Sequence, residues 1–165
     1  MNRKLSMKIY FENEQDKLPV TYKMKMLIRA AVEQTLDYEQ YQNPCEVSVT
    51  FTDNEGIRKL NRKFRGINRK TDVLSFPLFD YTGESEEPPI DEMKGMLGDV
   101  VLSLEQAKAQ AEEYGHSFER EVAFLTVPKK MLAVQATDNI QFFREFDPGS
   151  GLTLAACITH SSRTE

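Results

Sequence analysis

The chain contains no run of apolar residues approaching the ~20 needed to cross a bilayer as a helix, which excludes a membrane-spanning helix. Its N-terminus, MNRKLSMKIYFENE, has basic residues but no apolar core, so it does not read as a secretory signal. Residues 1–7 read as a short leader. Cysteine is scarce: Cys45 and Cys157 are the only two, and no CxxC pair occurs. Two isolated thiols make neither a disulfide framework nor a zinc knuckle. They read as small apolar residues of a protein kept in a reducing, cytoplasmic compartment. Histidine is equally scarce, with only His116 and His160. No internal repeat is present. The net charge of −5 argues against a surface coated over its whole extent with nucleic acid.

What remains is an ordinary globular composition, and 165 residues suffice for one domain with a core. Residues 8–12 read as a strand with Ile9 and Phe11 on one face. Pro19 opens a helical segment whose stripe is Met24, Leu27, Ile28, Ala31, Val32, Thr35 and Leu36. Residues 46–52 alternate, with Val47, Val49 and Phe51 facing one way. Asp53 is positioned to cap a helix whose buried side is Ile57, Leu60 and Phe64. Residues 72–79 read as a strand in which Pro77 marks an edge or an end. The polar, acidic stretch 80–95 reads as a mobile loop. Residues 96–102 form a hairpin with the preceding strand. Ser103 and Gln106 make a capping box for a helix over 104–114, closed by Gly115. Ser117 caps a last helix with Ala123, Phe124 and Val127 on its apolar side. The order β-α-β-α-β-β-α-α predicts an α+β domain with a small mixed four-stranded sheet.

Pro128 stops or kinks that last helix, because proline removes a backbone hydrogen bond and clashes with the preceding turn. Residues 128–165 have a different character, with DPGSG at 147–151 and no sustained helical stripe.

Chemistry concentrates in residues 58–70, RKLNRKFRGINRK. Arg58, Lys59, Arg62, Lys63, Arg65, Arg69 and Lys70 lie there with no acid among them. Such a run is either a solvated helix face or a phosphate-binding patch. The excess of one sign in an acidic protein favours the phosphate reading. Arg58, Arg62, Lys63, Arg65, Arg69 and Lys70 are the expected phosphate contacts. Arg65 is the sharpest of them: beside Gly66 at a helix end, its guanidinium can clamp a phosphate with two hydrogen bonds. Asp99 lies in a strand beside this region, as a cleft-lining acid or a strand-end hydrogen-bonding residue.

Three blocks, LNRKFRGINRKTDVLSFP (60–77), LGDVVLS (97–103) and GHSFEREVAFLTV (115–127), resemble the YbeY family in order and spacing. The resemblance covers about residues 8–127. It implies a small mixed sheet with helices and a single-strand-specific, metal-dependent endoribonuclease. It also implies a role in maturing the 3′ end of small-subunit rRNA and in ribosome quality control. The implied partners are rRNA and the small ribosomal subunit; no membrane or DNA partner is implied. Arg65 matches the family's functional arginine and is the expected catalytic residue.

The family's zinc motif, HxxxHxxxxxH, begins directly after FLTV. Here those positions hold Pro128, Leu132 and Asp138. The expectation is that no catalytic zinc is bound and that no residue of this chain is a metal ligand. His116 reads as structural, and neither His160 nor the tail acids Asp138 and Asp147 rebuild a ligand set. Three functions stay open: an active endoribonuclease, a non-catalytic RNA- or ribosome-binding protein, and the defective product of a gene interrupted near codon 127. Lost cover on the last helix predicts reduced stability, offset in part by Phe142, Phe143, Phe146, Leu152 and Leu154.

Overall fold

A computed structural model describes residues 7–38, 44–77 and 96–126. Eight elements follow in the expected order: β1 (Met7–Asn13), α1 (Tyr22–Tyr38), β2 (Cys45–Thr52), α2 (Asn54–Arg65), β3 (Val73–Pro77), β4 (Met96–Ser103), α3 (Leu104–Tyr114) and α4 (Phe118–Thr126). The fold is α+β with a four-stranded mixed sheet in the order β1-β2-β4-β3. β1 pairs parallel to β2, and β2 parallel to β4. β3 runs antiparallel to β4 at the edge, where Pro77 ends it. An edge strand tolerates the missing N–H of proline.

The alternation of β2 decides which face is core. Val47, Val49 and Phe51 are buried, and their register partners Ile9, Phe11 and Val100 face the same way. Phe51 stacks on Phe11 with ring centroids 6.0 Å apart. Met24, Ile28, Val32 and Leu36 of α1 and Val122 and Leu125 of α4 close this core. A bulge opposite Glu46 and Val47 turns Leu97 into the same cluster, helped by Gly98 at φ 131. α2 packs instead on the opposite face, against β3 and β4, where Ile57, Leu74 and Val101 are buried.

Several local readings change. Met7, counted with the leader, is the first residue of β1 and is buried. Pro19 does not open α1; Thr21 caps it, its Oγ1 accepting from the Met24 N–H at 3.1 Å. The capping box is half formed. Ser103 Oγ accepts from the Gln106 N–H at 3.2 Å, but the Ser103 N–H donates to the Asp72 carbonyl at 2.9 Å and not to Gln106. Phe64 is not on the buried side of α2; it is 56% exposed, and Asn61 is buried in its place. Asp53 caps α2, Gly115 closes α3 and Ser117 caps α4 as expected. The acidic stretch 80–95, Val127, Pro128 and the tail lie outside the described residues.

Candidate nucleic-acid interface

α2 gathers Arg62, Lys63 and Arg65 in its last turn. Asp53 fixes the start of the helix: its Oδ1 accepts from the Gly56 N–H at 2.8 Å. That hydrogen bond, reinforced by the Lys17 ammonium 3.5 Å away, holds the Asp53 carboxyl below its ordinary range. A negative group here also suits the helix dipole. Lys17 is anchored in turn by Glu105 at 2.9 Å, and Glu105 also accepts from the Asn54 N–H at 3.3 Å. The beginnings of α2 and α3 are therefore tied together.

The other end of α2 is a Gly66 cap. Gly66 sits in the left-handed region at φ 70, where a Cβ is disfavoured, and its N–H donates to the Arg62 carbonyl at 3.1 Å. The chain then folds back along the helix. The Ile67 N–H donates to the Asn61 carbonyl at 3.4 Å, and Asn61 Nδ2 donates to the Arg69 carbonyl at 2.9 Å. A buried asparagine thus brings Arg69 and Lys70 back beside the last turn of α2, which carries Arg62, Lys63 and Arg65. Asn61 Oδ1 is buried with no partner among the described residues.

The expected contact residues divide into two sets. Arg58 is engaged: its guanidinium pairs with both Glu55 carboxylate oxygens and also reaches Asn68 Oδ1. Lys59, Arg62, Lys63, Arg65, Arg69 and Lys70 are exposed and make no ion pair among the described residues. Arg65 is the last residue of the helix, directly before the left-handed glycine.

Phe64, between Lys63 and Arg65, was missed as a surface residue because apolar spacing assigned it inward. Its ring meets Phe76 of β3 edge-on at 5.0 Å, and Lys63 Nζ stands 5.1 Å from its centroid. Asp99 is the register partner of Phe76, so it lies on the same sheet face, and it is exposed. His116 has a structural setting. Its N–H donates to the Ala111 carbonyl at 2.9 Å, and its Nδ1 is 3.0 Å from the Arg120 guanidinium in the turn between α3 and α4.

Among the described residues, no three His, Cys, Asp or Glu side chains cluster as a metal-ion site. Positions 132 and 128 carry leucine and proline, which offer no side-chain donor, and Asp138 supplies only one carboxylate. His160, Asp138 and Asp147 lie outside the described residues. The residues present do not fit a three-histidine zinc site. No described helix is long and apolar enough to cross a membrane.

These features define a small α+β domain whose glycine-capped helix end and adjoining turn gather free cations. The family model described as "Endoribonuclease YbeY" matches residues 10–128. A protein named Endoribonuclease YbeY from Acetivibrio thermocellus is 45% identical over 124 residues, spanning 72% of this chain and 76% of that protein. One of the same name from Caldanaerobacter subterraneus subsp. tengcongensis is 50% identical over 124 residues, spanning 73% of this chain and 78% of that protein. A solution structure of a Thermotoga maritima protein is 23% identical with TM-score 0.47, covering 71% of this chain and 65% of that one. The chain belongs to the YbeY family.

Proposed function

We propose that this chain binds single-stranded RNA through the end of α2 and residues 66–70 and does not hydrolyse it. The observation that carries the reading is the set of six exposed cations, Lys59, Arg62, Lys63, Arg65, Arg69 and Lys70, with no ion pair among the described residues. Cations that no carboxylate of the protein neutralises bind a phosphate backbone by neutralising it and releasing its counterions. RNA is the expected nucleic acid because the chain belongs to a family of endoribonucleases. By the same resemblance the natural RNA is small-subunit rRNA near its 3′ end, met on the ribosomal subunit in the cytoplasm. Arg65 is the residue placed to clamp a phosphate, and it would do so in binding rather than in bond cleavage. In the chemistry that the resemblance implies, a metal would polarise the phosphate or activate the attacking water. Pro128 and Leu132 withhold two of the three donors, so no step is assigned to zinc in this chain.

Zinc content and RNA affinity of soluble, natively purified protein test this. The expected result is no stoichiometric zinc, salt-dependent RNA binding and no cleavage. About one zinc per chain together with cleavage would overturn the non-catalytic part. Absence of RNA binding would overturn the whole.

A second reading is favoured by the end of the family match at residue 128 of 165. It makes this chain the product of an interrupted gene, with no retained role. An in-phase segment coding for HxxxHxxxxxH in the downstream DNA, together with insoluble and short-lived protein, would support it.

A further inference from the structure

We infer that Phe64 is a stacking platform for an unpaired nucleobase, with Phe76 as its support. This rests on the RNA-binding reading above and adds a base contact to the phosphate contacts. Three observations carry it. First, the Phe64 ring is 56% exposed although it belongs to a helix that buries Ile57 and Asn61. Keeping a large apolar ring in water is unfavourable, and a flat unpaired base that stacks on it removes both faces in contact from water. Second, the ring is held from the sheet side by the edge-on contact with Phe76 at 5.0 Å, so it is oriented before any ligand arrives. Third, the charges around it are polarised. Lys63, Arg62 and Arg65 lie on the helix side, and Asp99, the cross-strand partner of Phe76, lies on the sheet side.

That polarity sets the direction of the bound strand. Phosphates are drawn toward residues 62–70 and repelled from Asp99. The base is therefore turned toward the sheet, over Phe64. The Lys63 ammonium, 5.1 Å from the ring centroid at rest, is on a long exposed side chain. It can swing to a phosphate and leave the ring to the base. A duplex cannot satisfy this arrangement, because its bases are already stacked on one another. The site therefore selects single strands without reading sequence.

The experiment compares two RNA 12-mers of equal phosphate count, one intact and one with its central bases removed. Binding to the full chain is read by fluorescence anisotropy at fixed low salt. The wild type is expected to bind the intact oligomer about tenfold more tightly than the abasic one. Phe64→Leu should remove that difference and leave the salt dependence unchanged, while Phe64→Tyr should keep it. Equal affinity of the wild type for both oligomers would overturn the stacking inference and leave RNA binding standing. Binding to neither would remove the RNA reading and this inference with it. A preference that survives in Phe64→Leu would assign the base contact to another residue and overturn the role of Phe64. Because the wild-type comparison alone can decide against the inference, it does not depend on Phe64→Leu folding.

Discussion

Asp53→Ala isolates the device that starts α2. The substitution removes one acceptor for an orphan helix N–H and one partner of Lys17. Loss of an N-cap costs about 1 kcal/mol. The Lys17 pair adds little, because the lysine is solvent-exposed and keeps Glu105 at 2.9 Å. That loss of about 1 kcal/mol corresponds to a melting temperature lower by about 3–6 °C for a domain of this size. Asp53→Asn should lose much less, since asparagine caps as well as aspartate and only the charge is gone. The pH dependence follows from the depressed carboxyl. Its stabilisation is complete above the ordinary value of about 3.9 and is lost as pH falls through the lower folded value. Urea midpoints for wild type, Asp53→Ala and Asp53→Asn between pH 7 and pH 3 provide the assay. The gap between wild type and Asp53→Ala should narrow toward pH 3. If Asp53→Asn proves as damaging as Asp53→Ala at pH 7, the cap is not the cause and the reasoning fails.

Further outcomes follow from the same structure. Phe51→Ala empties the centre of the sheet face, where Phe51 is fully buried against Phe11, and should cost about 3–5 kcal/mol in urea unfolding. Arg65→Ala should lower the slope of log affinity for single-stranded RNA against log salt by about 0.7, the value of one phosphate contact. Arg58→Ala should leave that slope unchanged, because Glu55 already holds the guanidinium. Burial pushes the Cys45 thiol up to about 11, with Glu46 adding to the effect. In a Cys157→Ser chain, Cys45 should therefore react with a disulfide reagent at pH 8 only as fast as the protein unfolds; rapid labelling of native protein would contradict its burial.

The element order, the β2 alternation and the three helix caps Asp53, Ser103 and Ser117 were legible because each depends on residues a few positions apart. Two kinds of feature were not. The strand order β1-β2-β4-β3 depends on pairings between distant segments, which local periodicity does not encode. The buried side of α2 was misread because hydrophobicity ranks Phe64 above Asn61 for burial. Asparagine wins there because the returning chain at Arg69 presents a carbonyl that needs a donor, and the Asn61 amide supplies it at 2.9 Å. The site shows the same division. That Arg65 adjoins a helix-ending glycine could be read directly. The return of residues 67–70 beside the helix, and the loss of Arg58 to Glu55 and Asn68, could not. The bare position of Phe64 is a conflict between local spacing and tertiary packing, and such conflicts are where binding residues tend to be found.

The parallel pairing of β2 with β4 also has a consequence for how the protein is made. β2 is complete once Thr52 has been synthesised, and β4 only at Ser103, 51 residues later. At elongation rates of roughly 5–20 residues per second, that interval lasts about 3–10 s. Throughout it, the nascent chain carries one unpaired β2 edge with Val47, Val49 and Phe51 awaiting their final neighbours. Until β4 is made, that edge lacks the native partner that covers it in the folded sheet.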